Sequence, residues 1–338
     1  MSAPELQPSR DPGESRDSVA GFLSPRTLRL SLITVILAVL GYLALSVWAG
    51  WDAIAAALNR IGPGVALGLL ALSLVNYSLR FVRWQHYLHL LGGAPAWRPS
   101  LRIYFAGFAL TTSPGKLGEL LRGALLKPYG IGLLASTAAF FSERCADLMG
   151  ILILSSLGFW HYPAGASLLL AIVAGVGVLL FAVQYPGWIA LVERWSEGRR
   201  GRIFVLLGHL CQLVLSFRRC FAWPTLALAL VLGVAAWGAE ALAFHWLLVR
   251  LDCQVSLPMA VFIYSFAMLI GGLSFLPGGL GGSEAVMIGL LVWQGVAHPL
   301  AVTVTLITRL ATLWFAVVLG IVALGRQQRE IRLSGASS

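Results

Sequence analysis

Charged side chains inside apolar sequence are the residues most able to do chemistry in this chain. Five acids and three arginines lie in such segments: Glu119, Glu143, Asp147, Glu240, Glu284, Arg80, Arg144 and Arg309. An ionised group in hydrocarbon is expensive unless it is paired, and such groups mark substrate and ion pathways in membrane proteins. We expect Glu119 to pair with Arg144 or Arg309. Glu284 would then pair with the arginine that remains. Structural ion pairing and direct substrate contact both fit this pattern.

Pro-Gly loops precede two of these acids. They lie in SPGKLGELLRGALL (113–126) and in LPGGLGGSEAVMIGLL (276–291). A helix that starts after a Gly-rich turn presents unpaired backbone N–H groups and the positive end of its dipole. Glycine also lets a ligand approach those amides closely. Residues 114–118 and 277–283 therefore predict two sites that accept an anion, and Lys116 adds a cation to the first of them.

The composition is that of a polytopic membrane protein. Of 338 residues, 58% are hydrophobic and only 11% are charged. Runs of about 20 apolar residues predict full crossings, at 28–50, 62–84, 131–158, 165–185, 224–248 and 299–324. Two further apolar regions, the first broken segment (99–127) and the second broken segment (258–296), are each interrupted in the middle by a Pro-Gly loop. Each half is too short to cross the membrane. We therefore predict an all-α polytopic membrane protein with six transmembrane helices and two oppositely oriented re-entrant hairpins.

The basic residues predict the orientation. With a cytoplasmic N-terminus, most of the 24 lysines and arginines fall on the cytoplasmic side, Arg122 among them. The net charge of +10 is thus mainly an orientation signal, and we expect no nucleic acid as a partner. Both termini should be cytoplasmic, in the inner (plasma) membrane of a bacterium.

The chain also repeats itself. Four pairs of residues recur at separations of 162 to 165 residues: Pro114 and Pro277, Glu119 and Glu284, Arg144 and Arg309, and Trp84 and Trp246. Two complete crossings separate the equivalent second and fifth crossings, so the halves should run in opposite directions, as in secondary transporters.

The predicted divisions are a disordered cytoplasmic tail (1–27), a membrane domain (28–325) with repeats at about 62–158 and 224–324 joined by 165–223, and a cytoplasmic tail (326–338).

At these residues the chain resembles the lysylphosphatidylglycerol synthase transmembrane-region, or flippase-like, family. The matching motifs cover about residues 28 to 325, and they are RFVRWQHYLHLLG, SPGKLGELLRGALL, FFSERCADLMGIL, LPGGLGGSEAVMIGLL and TRLATLWFAVVLG. The resemblance implies lipid translocation through a set of site residues: Pro114, Gly115, Gly118, Glu119, Arg122, Glu143, Arg144, Asp147, Pro277, Gly278, Gly279, Gly281, Glu284 and Arg309. Family members more often carry a basic residue where this chain has Ser283, which leaves one cation fewer at the second loop.

We add Lys116 and Glu240 to these substrate-binding residues and expect the chain to move a phosphate-bearing lipid between leaflets, through a midplane notch that the hairpins form. The substrate would be an anionic phospholipid or a polyprenyl-phosphate-linked lipid. The protein could also form a homo-oligomer or bind an envelope-biosynthesis enzyme.

No nucleotide, metal or hydrolase motif is present, so we expect that the protein has no cofactor and is not an enzyme. The soluble aminoacyl-transferase domain of bifunctional relatives is also not expected here. Two alternatives stay open: an intramembrane glycosyl- or acyltransferase, and a non-catalytic partner of an envelope-assembly enzyme.

The predicted orientation can be tested with reporter fusions. Fusions at Ala166 and Asp252 should report a periplasmic location, and fusions at Gly198 and Gly325 a cytoplasmic one, because the positive-inside rule places the intervening loops in this order. Paired alkaline-phosphatase and fluorescent-protein reporters measure this directly. A cytoplasmic signal at Asp252 would remove the basis of the inverted repeat.

Overall fold

The computed structural model describes Glu5–Leu6, Ile33, Gly41 and residues 51–112, 117–159, 163–185, 187–196, 202–274 and 277–334. The crossing predicted at 28–50 therefore lies outside the described residues, apart from Ile33 and Gly41. Within the predicted tail 1–27, only Glu5–Leu6 are described. The tip of the first broken segment, residues 113–116, also lies outside them.

The described chain is helical almost throughout. Its α-helices are α1 (Trp51–Leu90), α2 (Trp97–Ala106), α3 (Leu117–Leu126), α4 (Leu133–Phe159), α5 (Pro163–Gln184), α6 (Gly187–Ser196), α7 (Arg202–Cys220), α8 (Trp223–Arg250), α9 (Leu257–Leu273), α10 (Gly282–Trp293), α11 (His298–Arg309) and α12 (Phe315–Ser334). Short 3-10 turns occupy Gly107–Leu110, Lys127–Tyr129 and Pro277–Gly279, and a π-helical turn occupies Leu310–Trp314. The all-α fold class is confirmed. In the described part of the chain, strand pairing is limited to β1 (Glu5–Leu6) and β2 (Ala94–Pro95), which run parallel.

Proline and glycine set several of the helix boundaries. Helices α8, α9 and α11 each carry a proline in the first turn, where its missing N–H would have no helical partner anyway. Helix α10 ends before Gly295, whose φ of 83° continues the chain in the left-handed region. Inside α1, Gly62 (φ 68°) interrupts the helix just before Pro63. The 51–61 part of α1 is therefore distinct from the long helix that follows.

Within the described residues, three helices are long and apolar enough to cross a membrane: Ala55–Leu90, Trp223–Arg250, and the stretch His298–Gln327 that runs through α11, the π turn and the start of α12. Helix α4 has 27 residues, about 40 Å at 1.5 Å per residue, but it carries charged side chains near its middle. These lengths support an integral membrane protein.

Both broken segments consist of two short helices with a non-α break. In the first, α2 leads into the 3-10 turn Gly107–Leu110, and α3 begins at Leu117. In the second, α9 is followed by the turn Pro277–Gly279 and then by α10. In each segment a helix touches the 3-10 turn through glycine: a Cβ at Gly118 would overlap the carbonyl of Gly107, and a Cβ at Gly279 would lie 3.1 Å from the backbone of Gly271.

The core divides into two clusters along α1. The early part of α1, from Ala57 to Leu69, packs with α8 to α11, including both helices of the second broken segment. The later part, from Tyr77 to Leu88, packs with the first broken segment and parts of α4, α7 and α12. The two broken segments therefore lie toward opposite ends of α1.

A polar stripe runs through the buried helix α11. The hydroxyls of Thr303, Thr305 and Thr308, and that of Thr312 in the π turn, each donate to the carbonyl four residues earlier, all at 2.8 Å. These bonds satisfy the hydroxyls within their own helix. The stripe can therefore be buried without partners from neighbouring helices.

Close packing of α12 on the first broken segment gives a test of the fold. A Cβ at Gly320 would overlap the backbone of Phe108 and Ala109, whereas a Cβ at Gly289 would meet nothing within 4 Å. We expect Gly320→Ala to lower the free energy of unfolding by about 1–3 kcal/mol, the usual effect of overpacking. Gly289→Ala is the matched control and should be neutral or slightly stabilising. Unfolding of the purified variants in detergent measures this, and equal stability of the two would contradict the packing of α12 on the 3-10 turn.

Candidate functional site

Three arginines converge on one buried carboxylate. The guanidinium of Arg83 lies 2.5 Å from Oδ1 of Asp147, and those of Arg80 and Arg144 each lie 3.0 Å from Oδ2. The indole Nε1 of Trp237 donates to the same Oδ1 at 3.2 Å. We call these five residues the Asp147 cluster. It joins α1, α4 and α8.

The Asp147 cluster carries more positive than negative charge. Three guanidinium groups face a single carboxylate, and Arg83 and Asp147 are almost completely buried. Nitrogens of all three arginines lack a hydrogen-bond partner among the described residues, namely Arg80 Nε, Arg83 Nε, Arg83 Nη1 and Arg144 Nε. A buried charge that is not compensated is strongly unfavourable. The cluster is therefore suited to receive an anion.

Arg144 connects the cluster to the protein surface. Its side chain is 35% exposed, compared with 11% for Arg80 and 1% for Arg83. Among these arginines, an incoming anion would thus meet Arg144 first.

A second ion pair holds the first broken segment against α4. Arg122 on α3 lies 3.1 Å from Oε2 of Glu143, and its guanidinium stacks 4.3 Å from the ring centre of Tyr104 on α2. The rings of Trp84 and Phe108 are within 6 Å of the same guanidinium, a distance at which cation–π attraction operates. Arg122, which the sequence predicts on the cytoplasmic side, is buried inside the protein. The reason is that Glu143 and the aromatic rings compensate its charge there.

The second broken segment is held by Glu284 and Arg309. Arg309 Nε donates to Glu284 Oε1 at 2.7 Å, and Arg309 Nη2 donates to the carbonyl of Gly278 at 2.9 Å. The backbone N–H of Gly281 donates to Glu284 Oε2 at 2.7 Å, which caps α10. Of the two predicted pairings, the structure contains the one between Glu284 and Arg309. The Glu284 carboxylate thus accepts the hydrogen bond of the Gly281 amide, whereas the sequence predicts that this amide binds a ligand.

The glycines of this loop have a conformational role. Gly278, Gly279 and Gly281 have φ values of 63°, 69° and 86°, in the region that L-residues with a Cβ rarely adopt. A Cβ at Gly279 would also press on the backbone of α9. The loop thus requires glycine for its own path, and close approach of a ligand is not needed to explain these residues.

Glu240 and a set of hydroxyls complete the polar interior. The hydroxyl of Tyr264 on α9 donates to Glu240 Oε2 on α8. Tyr77 on α1 donates to the carbonyl of Thr312 at 2.5 Å. Thr312 lies in the π turn, a distortion that is frequent at functional sites.

The structure places the predicted site residues in separate groups. Arg144 and Asp147 belong to the Asp147 cluster, Arg122 pairs with Glu143, and Glu284 pairs with Arg309. Pro114, Gly115 and Lys116 lie outside the described residues, and so does the side chain of Glu119. Gly118 packs on Gly107, and Pro277 begins the 3-10 turn.

Sequence reasoning missed Arg83, Tyr104, Trp237 and Tyr264. Arg83 follows Arg80 by one helical turn, so both arginines share a face of α1, and that spacing was a usable signal. The aromatic residues carried no such signal, because their partners come from other helices.

These features define an integral membrane protein of packed helices with a charged interior. The chain belongs to the family described as the lysylphosphatidylglycerol synthase TM region, whose family model matches residues 32–320. A UPF0104 membrane protein of Methanothermobacter thermautotrophicus is 24% identical over 316 residues, which is 84% of this chain and 90% of the relative. A UPF0104 membrane protein of Pyrococcus horikoshii is 21% identical, over 85% of this chain and 94% of the relative.

One shorter match differs in its name. A fluoride-specific ion channel FluC of Ralstonia pickettii is 35% identical over 117 residues, which is 35% of this chain and 85% of the relative. No solved structure matches the chain.

Removing one partner of the buried ion pair at the second broken segment should destabilise the fold far more than removing one partner of an exposed pair. Arg309→Ala leaves Glu284 buried without its cation, so we expect a loss of roughly 3–5 kcal/mol in the free energy of unfolding. The matched control is Arg60→Ala, which breaks a pair with Asp252 whose side chains are 53% and 70% exposed, and it should lose only about 0–1 kcal/mol. Unfolding titrations with sodium dodecyl sulfate in mixed micelles compare the two.

A double variant separates the cost of leaving the Glu284 charge unpaired from the loss of the contact between the two side chains. Replacing Glu284 with Gln and Arg309 with Met removes both charges, and it should recover part of the stability that Arg309→Ala loses. Equal losses for Arg309→Ala and Arg60→Ala would contradict the buried pair.

Proposed function

We propose that this protein moves a phosphate-bearing lipid headgroup between the leaflets of the bacterial inner membrane. The single observation that carries the proposal is the convergence of Arg80, Arg83 and Arg144 on Asp147. The chain's membership of the family described as the lysylphosphatidylglycerol synthase TM region supports a lipid-related role. The substrate would be an anionic phospholipid or a polyprenyl-phosphate-linked intermediate, and the lipid would leave chemically unchanged.

The chemistry of arginine favours phosphate as the ligand. A guanidinium presents several N–H donors in a plane that matches two phosphate oxygens at once. The partnerless N–H groups of Arg80, Arg83 and Arg144 are the donors that such a headgroup could use. A phosphate with one negative charge would also lower the charge excess around Asp147. The lipid tails would stay in the bilayer while the headgroup passes through the protein.

The two broken segments would be the moving parts. We propose that they are re-entrant hairpins related by an inverted repeat. Their positions toward opposite ends of α1 support this, as does the glycine contact that each contains, Gly107 with Gly118 and Gly271 with Gly279. Because their backbone is broken at depth, it must be buried in protein or line a wet cavity. Alternating movement of the hairpins would expose the cluster to one leaflet and then to the other.

The halves have diverged in their side chains. Trp84 is buried, whereas its repeat partner Trp246 is 39% exposed. Arg309 is buried against Glu284, whereas its repeat partner Arg144 reaches the surface. We infer that the half with Arg144 admits the headgroup and that the half with Arg309 holds the hairpin in place.

Reconstitution tests the function. In vesicles of phosphatidylcholine with fluorescent phosphatidylglycerol, dithionite bleaching reports exchange between leaflets. We expect Arg83→Gln to lower flipping per folded molecule by at least about tenfold, equal to roughly 1.4 kcal/mol, because a headgroup donor is lost. Arg83→Lys keeps the charge without the planar donors and should fall in between. The control Arg250→Gln changes an exposed arginine at the end of α8 and should have no effect.

The same vesicles separate the competing functions. A change in lipid mass would indicate a transferase, and fluoride release without lipid exchange would indicate a channel like the matched FluC relative. Neither lipid exchange nor chemistry in the wild type would indicate an assembly partner. Full flipping activity in Arg83→Gln would exclude the Asp147 cluster as the headgroup site.

A further inference from the structure

One buried carboxylate differs from the others. Glu240 is 4% exposed, and its hydrogen bond comes from the neutral hydroxyl of Tyr264. Among the described side chains, no lysine or arginine lies within ion-pair distance of it, whereas Glu143, Asp147 and Glu284 each have an arginine at 3.1 Å or less. Glu240 is therefore a buried acid without a cation in contact.

Charged and titratable groups surround Glu240 at longer range. Helix α1 brings Arg80 and Tyr77, α4 brings Asp147, and α11 brings Arg309; each interacts with Glu240 electrostatically. Tyr264 of α9 is the group in contact. On α8, Glu240 lies three residues after Trp237 of the Asp147 cluster, and Arg80 of that cluster acts on it at longer range.

Two opposing forces act on the proton of Glu240. Burial disfavours the ionised carboxylate because no cation contacts it. The excess positive charge of the Asp147 cluster favours ionisation, since a carboxylate nearby would compensate it. An anion bound at the cluster removes the second force. Occupancy of the cluster and protonation of Glu240 must therefore depend on each other.

We propose that Glu240 is a proton-binding site linked to the binding of an anionic headgroup at the Asp147 cluster. When the cluster is empty, the Glu240 carboxylate balances part of its charge. When a phosphate group arrives, Glu240 takes up one proton to become the neutral acid, and no bond to the lipid forms or breaks. The Tyr264 hydroxyl fits both states, because it can donate to the carboxylate or accept from the acid. This inference rests on the proposed function, and it implies that lipid and proton cross the membrane together.

Binding of a lipid probe across pH tests the linkage without requiring transport. Fluorescent phosphatidylglycerol keeps one negative charge over the range used, so its own titration does not interfere. For wild-type protein in detergent, we expect the affinity to fall as pH rises, by up to about tenfold per pH unit for one linked proton. Glu240→Gln imitates the protonated acid and should bind at every pH with the affinity that the wild type has at low pH.

A control variant and a second variant test whether the pH dependence of lipid binding comes from Glu240. Asp252→Asn makes the same acid-to-amide change at an exposed position and should keep the wild-type slope. Tyr264→Phe removes the donor that stabilises the carboxylate, so the midpoint of the pH dependence should move to higher pH. A wild-type affinity that does not change with pH, or a slope that survives in Glu240→Gln, overturns the inference.

Transport separates this inference from the function on which it rests. In proteoliposomes with the membrane potential clamped, a pH gradient should accelerate flipping by the wild type but leave the rate of Glu240→Gln unchanged. Flipping that ignores the gradient in both proteins overturns the proton linkage and leaves the lipid-flipping function standing. An absence of flipping in the wild type overturns the function, and the binding slope then still decides whether Glu240 is a proton site linked to anion binding.

Discussion

A charge buried among apolar helices must meet a counter-charge, and this requirement determines how the interior is assembled. Asp147 can be buried on α4 because Arg80 and Arg83 reach it from α1. Arg122 can be buried on α3 because Glu143 and the ring of Tyr104 receive it. These contacts join residues that are far apart in the chain, so they specify which helix faces meet. Apolar packing alone is less selective, since many arrangements bury the same surface.

The same requirement stabilises the break in the second broken segment. A loop with three left-handed glycines leaves backbone groups that no regular helix satisfies. Arg309 supplies a donor to the carbonyl of Gly278, and Glu284 supplies an acceptor to the amide of Gly281. The two side chains then neutralise each other. One ion pair thus compensates two orphan backbone groups as well as its own charges, which explains why irregular backbone can persist in an apolar setting.

Periodicity and composition predicted the fold class and the positions of most helices, because a helix that spans hydrocarbon needs a long apolar run. The two broken segments were visible for the same reason, as apolar runs interrupted by Pro and Gly. Side-chain pairing was less predictable. The pair of Glu284 with Arg309 was one of two alternatives, whereas the three arginines around Asp147 depend on how α1 and α4 are rotated about their axes. The cap made by Glu284 also went unpredicted, since an acid three residues into a helix can bind its own N-terminus or a ligand.

Satisfaction of charge distinguishes two kinds of buried group in this interior. Glu284 and Arg309 have matched charges and specific backbone partners, so moving them would expose several groups at once, and they suit a fixed support. The Asp147 cluster has three cations for one anion and N–H groups without partners in the described structure, while Glu240 is a buried acid that lacks a cation in contact. An ionised Glu240 would carry the charge opposite to the excess of that cluster. Contact between Glu240 and an arginine would compensate both groups, and in its absence the anionic headgroup of the proposed function can complete the charge balance.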